Sequence, residues 1–216
     1  MRMIVFIAAA LFSAVLCAEA IIFKADGKYR LLSDTHLVDG VSYKNGAYQA
    51  LIEVPAGTTA KWEVNHSTGH LEWEFKKGKP RNVSFIGYPG NYGFIPQSIL
   101  DKKDGGDGDP LDVIVLGPSV PMGSVQKIRI LGALQLLDKG EQDDKIIAVP
   151  LSGPFENIDS LEEMLIKFPG VIDIVRTWFE GYKGSKIQFM GYMTHKKAER
   201  LVEVAHGSWS EHSDER

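Results

Sequence analysis

Apolar and polar positions alternate with period two over the first two thirds of the chain, then shift to a helical period. Gln49 to Val54, Ala60 to Val64, His70 to Phe75 and Asn82 to Ile86 each read as strands. Pro55-Ala56-Gly57 and Ser67-Thr68-Gly69 punctuate them, and Lys76 to Arg81 reads as a basic hairpin turn. Residues 21–48 predict an N-terminal arm with short strands. The Gly-, Pro- and Tyr-rich segment Gly87 to Pro96 predicts no regular element. A further strand starts on Asp112. Val125 to Leu137 places Ile128, Ile130, Gly132, Leu134 and Leu136 on one face. So long a strand with a central glycine predicts a bend around a small barrel. Asp138 to Asp144 is an acidic turn, and Lys145 to Val149 predicts the return strand.

The helical period starts late. Leu161, Met164, Leu165 and Phe168 are spaced i, i+3, i+4, i+7. Ser160 with Glu163 forms a capping box, and Pro169-Gly170 stops the helix. Val171, Ile174, Val175, Trp178, Phe179 and Tyr182 continue the spacing in a second helix, and both apolar stripes would pack on the barrel. Lys196 to Ala205 predicts a terminal helix, followed from residue 206 to residue 216 by a polar, frayed tail. The pattern predicts a mainly β fold, a β-barrel with appended α-helices, in one domain over residues 21–205.

Composition adds two points. The 216 residues are 44% hydrophobic with formal net charge −4, so a full core is available and no basic surplus points to nucleic acid or an anionic membrane. Residues 1–20 read as a cleaved secretory signal peptide: Arg2, an apolar run from Met3 to Leu16, and Ala18-Glu19-Ala20 as the cleavage site. The single cysteine, Cys17, lies within it. This predicts an exported chain, periplasmic or secreted, with no disulfide and no stable membrane anchor after cleavage. Glycans on Asn65 or Asn82, in the two Asn-X-Ser sequons, would crowd the candidate site and so favour a bacterial periplasm.

The densest candidate chemistry is Asp107-Gly108-Asp109-Pro110-Leu111-Asp112, three carboxylates in six residues. Crowded carboxylates repel unless cations neutralise them, and hard divalent ions take oxygen ligands. Taken alone, the six residues fit a solvated Asp-Gly-Pro turn equally well. They do not fit an EF-hand, because twelve positions on from Asp104 or Asp107 no closing Glu is found. The second acidic stretch, Asp138 to Asp144, changes the reading. Two carboxylate loops at one barrel end could share paired metals, which generate hydroxide and steady a phosphoryl group.

With these residues the sequence resembles the family I soluble inorganic pyrophosphatases. Asp-Gly-Asp-Pro-Leu-Asp is that family's signature. Ile52 to Pro55, Lys61-Trp62-Glu63, Lys79-Pro80-Arg81, Tyr88 to Gly93, Asp138 to Lys145 and Tyr182-Lys183 follow in the family's order, over about residues 48–192. The resemblance implies a five-stranded OB-like closed barrel, three to four Mg2+ ions, and hydrolysis of pyrophosphate to two phosphates. It implies that Asp107, Asp112 and Asp143 bind a first metal, with Asp112 bridging to a second. Asp138 and Asp143 would hold a third, and Glu63 would stand near a fourth. Asp109 would contact the attacking water as general base. Lys61, Arg81, Tyr92, Lys145, Tyr182 and Lys183 would hold phosphate oxygens. Glu53 would organise metal-bound water from behind, and Tyr88 would shape the loop. A homo-oligomer is implied, with the compact length favouring a hexamer.

The residue types suit these roles independently. Arg81 offers a planar fork and the lysines offer point charges to a polyanion. Tyrosines donate hydrogen bonds without adding charge. Phosphoryl transfer needs positioning and neutralisation rather than a covalent nucleophile. Core packing alone would also explain the Tyr182 ring. The histidines show no metal-ligand spacing and read as surface residues. The loop Gln97 to Gly106 reads most simply as solvated. Two rival readings are a secreted calcium-dependent binding module, with tight Ca2+ binding and no turnover, and an inactive relative kept for interaction.

Overall fold

The computed structural model describes residues 21–101, 105–106, 108–184 and 186–213. The arm comprises β1 (Phe23–Ala25), β2 (Arg30–Ser33), a 3-10 turn at Leu37–Asp39 and β3 (Tyr43–Lys44). Next come β4 (Ala47–Val54), β5 (Trp62–Val64) and β6 (Leu71–Trp73), then the basic hairpin of β7 (Phe75–Lys76) and β8 (Lys79–Pro80). The strands β9 (Asn91–Phe94), β10 (Asp112–Val115), β11 (Val125–Asp138), β12 (Glu141–Gln142) and β13 (Lys145–Pro150) follow. The chain ends with α1 (Leu161–Lys167), α2 (Val171–Tyr182), β14 (Ile187–Thr194) and α3 (His195–Ser213).

Five strands form a ring. β4 pairs with β9, β9 with β10, β10 with β13 in parallel, β13 with β11, and β11 back to β4. This is the five-stranded barrel with appended helices that the sequence predicts. β11 serves several neighbours in turn: Val125–Ile128 face β4, Ile128–Leu134 face β13, and Gly132–Asp138 face β14. The register shifts between Ile130 and Gly132, where a Cβ would lie 2.4 Å from the Met193 carbonyl. Glycine therefore lets one strand bend between neighbours. A separate four-stranded sheet, β1-β2-β6-β5, carries Lys61 and Glu63 to the barrel.

One barrel face packs Ile114, Leu131, Leu134 and Ile147 against Leu161, Met164, Val175, Trp178 and Phe179 of α1 and α2. The other packs Ile52, Val113, Ile130 and Ala148 against Ala198, Val202 and Ala205 of α3. The Ser160 hydroxyl accepts the Glu163 N–H at 3.1 Å, as the capping box requires, but the Glu163 carboxylate takes the Asp159 N–H instead of that of Ser160.

The structure departs from the sequence reading at five places. Asn82 to Ile86 is not a strand: Val83 turns inward, while Phe85 and Ile86 are exposed and the Trp178 indole donates to the Ile86 carbonyl at 2.9 Å. The glycine-rich segment does hold a strand, β9, because Gly93 admits Leu51 so closely that a Cβ would lie 1.8 Å from its carbonyl oxygen. β14 was not foreseen. Of the tail, residues 206–213 continue α3, and residues 214–216 lie outside the described residues. Ala198, Val202, Ala205 and Ser208 make a buried stripe of small residues, and the Ile99 N–H donates to the Ala205 carbonyl at 2.9 Å. That bond also ties down the loop after Gln97, where Ser98 and Leu100 are buried rather than solvated.

Candidate active site

The parallel register of β10 and β13 builds the centre. Val113 pairs with Ile146, so the preceding residues, Asp112 and Lys145, start side by side at one barrel end. Asp138 ends β11, and Asp143 sits in the acidic turn just before Lys145. Lys183 caps α2 after Tyr182. Glu63 lies in β5 of the flanking sheet and Lys61 immediately precedes that strand, and their side chains meet at 2.7 Å. These side chains line one cavity of about 330 Å³.

Each described acid at its centre is matched by a cation. Lys145 donates to Asp112 and to Asp143. Lys183 donates to Asp138 at 2.7 Å, and Lys61 lies 2.7 Å from Glu63. Arg81 donates to Glu74, whose own backbone ties to both Arg81 and Lys61. Burial would raise Asp112, but Lys145 and Lys61 hold it below the usual carboxylate range. Asp138 is likewise held down by Lys183 against its own burial. Burial would lower the pKa of Lys145, but Asp112 and Asp143 outweigh it and keep the ammonium charged. Glu53, buried and receiving the Val64 N–H at 2.7 Å, is pushed up to about 8 by burial despite Lys61 nearby. Burial, together with Asp112, holds the Tyr92 phenol well above its usual value.

The cavity brings together Asp109, Asp112, Asp138, Asp143, Glu53, Glu63, Lys61, Arg81, Tyr92, Lys145, Tyr182 and Lys183. Tyr88 stands behind it, its ring 5.1 Å from that of Tyr92 and 4.3 Å from that of Trp178. Tyr182 both lines the cavity and stacks on Trp178 at 4.5 Å, so packing and a site position coincide. Asp107, assigned to the first metal, lies outside the described residues. Sequence reasoning missed Glu74, whose pairing with Arg81 only the hairpin register reveals. Asp144, also unassigned, braces the acidic turn by accepting the Leu136 N–H at 3.0 Å and the Gln142 amide at 2.7 Å. His66, read from the sequence as a surface residue, is exposed and also lines the cavity, 3.5 Å from Asp109.

A hard divalent cation fits this donor set. The acids offer oxygen ligands, and Asp138 Oδ1 is buried with no hydrogen-bond partner among the described residues. Among the described residues no three potential ligands already surround a common point, since Lys145 stands between Asp112 and Asp143.

A family profile described as inorganic pyrophosphatase matches residues 50–210. The mitochondrial inorganic pyrophosphatase of Saccharomyces cerevisiae is 35% identical over 185 residues, covering 74% of this chain and 60% of its own. The chloroplastic soluble inorganic pyrophosphatase 6 of Arabidopsis thaliana is 31% identical over 178 residues, 75% of this chain and 57% of its own. The chain thus spans somewhat more than half the length of these curated relatives. The type I inorganic pyrophosphatase of Toxoplasma gondii superposes with a TM-score of 0.82 at 26% identity, covering 88% of this chain and 98% of that one. The organelle addresses of the two curated relatives overturn the expectation of an exported, periplasmic or secreted protein. An apolar run behind one arginine sets hydrophobicity, which does not by itself name a compartment. Residues 1–20, on which that expectation rested, lie outside the described residues. Among the described residues no helix is long and apolar enough to cross a membrane.

Proposed function

The chain belongs to the inorganic pyrophosphatase family, and from that premise we propose that it hydrolyses inorganic pyrophosphate to two phosphates, with water as nucleophile. The observation that carries the reading is the convergence of Lys61, Arg81, Lys145 and Lys183 with Asp109, Asp112, Asp138 and Asp143 in one cavity. A cluster of acids alone would repel a polyanionic substrate. Interleaved fixed cations make the same cavity receptive to one.

Asp107, Asp112 and Asp143 would hold a first Mg2+, with Asp112 shared by a second, Asp138 and Asp143 on a third, and Glu63 near a fourth. When bound, these ions supply charge neutralisation and make water acidic enough to attack near neutral pH. Asp109 accepts the proton of the attacking water on a carboxylate oxygen. Arg81 binds phosphate oxygens through its guanidinium fork, and Lys61, Lys145 and Lys183 through single ammonium groups. Tyr92 retains its proton because its pKa lies above the usual range, so it donates a hydrogen bond to the departing phosphate. Tyr182, in the same aromatic cluster, donates another. Glu53 carries a proton near neutrality and organises water behind the cations, while Tyr88 fixes the Tyr92 ring by packing.

The test is phosphate release from pyrophosphate by the purified full chain, with Mg2+ and with excess chelator. Rapid release that the chelator abolishes is expected. A folded protein inert with every divalent ion would favour the calcium-dependent binding module. Asp109→Asn is expected to lower turnover by about 10²- to 10⁴-fold while still binding pyrophosphate, and near-normal turnover would remove Asp109 as the base. The proposal includes a homo-oligomer, a hexamer by resemblance to the compact bacterial branch, to be read by light scattering.

A further inference from the structure

His66 reaches the cavity mouth and has no part in the scheme above. Its position is built from several sides. The Asn65 side chain accepts the N–H groups of Ser67 at 2.9 Å and Thr68 at 3.2 Å, and the Gly69 N–H returns to the Asn65 carbonyl at 2.7 Å. The turn is therefore closed on itself by an Asx motif. It is also held from outside. His36 Nε2 lies 3.1 Å from the His66 carbonyl, and the Leu37 N–H donates to Gly69 at 3.2 Å. The His36 ring packs so tightly under Gly69 that a Cβ there would lie 2.5 Å from it. At its start the turn is anchored by the Val64 N–H on the buried Glu53 carboxylate.

This braced turn brings the imidazole close to a carboxylate of the cavity. His66 Nδ1 lies 3.5 Å from Asp109 Oδ1. Asp109 itself stands between Gly108, at φ +94, and Pro110. The two side chains are 47% and 66% exposed, which places their contact at the entrance where water and substrate arrive. Contacts of this kind are long in an empty site and shorten when substrate excludes water.

We propose that His66 is a positioning residue for Asp109, its Nδ1–H holding one carboxylate oxygen so that the other faces the attacking water. The proposal rests on the pyrophosphatase reading and adds to it a residue that neither the motif spacing nor the charge pattern assigned. It also makes a regiochemical demand. The donor must sit where Nδ1 sits, and a donor at the Nε2 position does not serve.

Three substitutions in the full chain test this: His66→Ala, His66→Asn and His66→Gln. An asparagine amide nitrogen overlays Nδ1, whereas a glutamine amide nitrogen overlays Nε2. His66→Ala is expected to lower kcat about tenfold to a hundredfold, with KM for pyrophosphate changed less than about twofold and the melting temperature unmoved. His66→Asn restores most of the loss, and His66→Gln does not. In an Asp109→Asn background, His66→Ala adds no further loss, because the carboxylate it orients is gone. Wild-type kcat in His66→Ala would overturn this proposal alone. So would equal rescue by Asn and Gln, or a full additional loss in the Asp109→Asn background. Absence of any pyrophosphate turnover by the wild-type protein would instead remove the functional reading beneath it.

Discussion

Glu53 gives the site a pH signature of its own. Burial raises its carboxyl to about 8, against about 4.3 for an exposed glutamate. Between those values the folded chain keeps a proton that the unfolded chain releases. Stability is therefore greatest at the acidic side of that window and falls as pH rises towards 8. Glu53→Gln removes this contribution, so denaturant unfolding at pH 5 and at pH 8 should show a smaller loss in the variant than in the wild type. A variant with an undiminished loss would assign the slope to another group. At this scale the acids and cations were legible, because their residue types and order carry the family pattern. His66 was not, since its relation to Asp109 spans two loops with no shared period. Glu74 was hidden similarly: its charge reads as surface until β7 and β8 fold it back onto Arg81.

Among the elements, α2 does the most to hold the aromatic wall of the site. Trp178 lies between Tyr88 and Tyr182 and donates to Ile86, so it supports two residues of the cavity lining or its backing. Trp178→Ala should cost about 3–5 kcal/mol in chemical unfolding, and turnover should fall with it as Tyr182 loses its stacking partner. The boundaries of α2 were readable in full, since its apolar positions repeat at helical spacing and a proline-glycine pair precedes it. β9 was hard to read for a physical reason. Its centre is Gly93, where β4 comes too close for any Cβ, and a glycine inside a Gly- and Pro-rich segment reads as a loop. Gly93→Ala should accordingly destabilise by about 1–3 kcal/mol or more, read by the same unfolding experiment. The later turns of α3, residues 206–213, escaped notice because they are polar and the residue they bury, Ser208, carries little hydrophobic signal.

For the molecule as a whole, Lys145 stands between Asp112 and Asp143 and Lys183 pairs with Asp138, so the chain's own lysines balance these described acids of the barrel mouth. That balance predicts a fold that persists without an ion. Excess chelator should abolish turnover and leave the far-ultraviolet circular dichroism unchanged, while adding Mg2+ raises stability with the logarithm of its concentration, by about 2.7 kcal/mol per site at a hundredfold excess over its Kd. Unfolding by chelator alone would contradict this. The barrel architecture was legible from alternation and the bent long strand, whereas its closure was legible only through the family resemblance, because pairing between distant strands leaves no local mark. That closure has a bearing on synthesis. β4 carries an uninterrupted apolar run from Ala50 to Ile52, and the partner that completes the ring on its far side, Val125 opposite Leu51, is translated about seventy residues later. At roughly 5–20 residues per second, the nascent chain offers an unpaired, water-averse edge for on the order of 4–15 s. Substitutions that slow ring closure should therefore appear first as lower yield of soluble protein in the cell, before any change in the purified molecule.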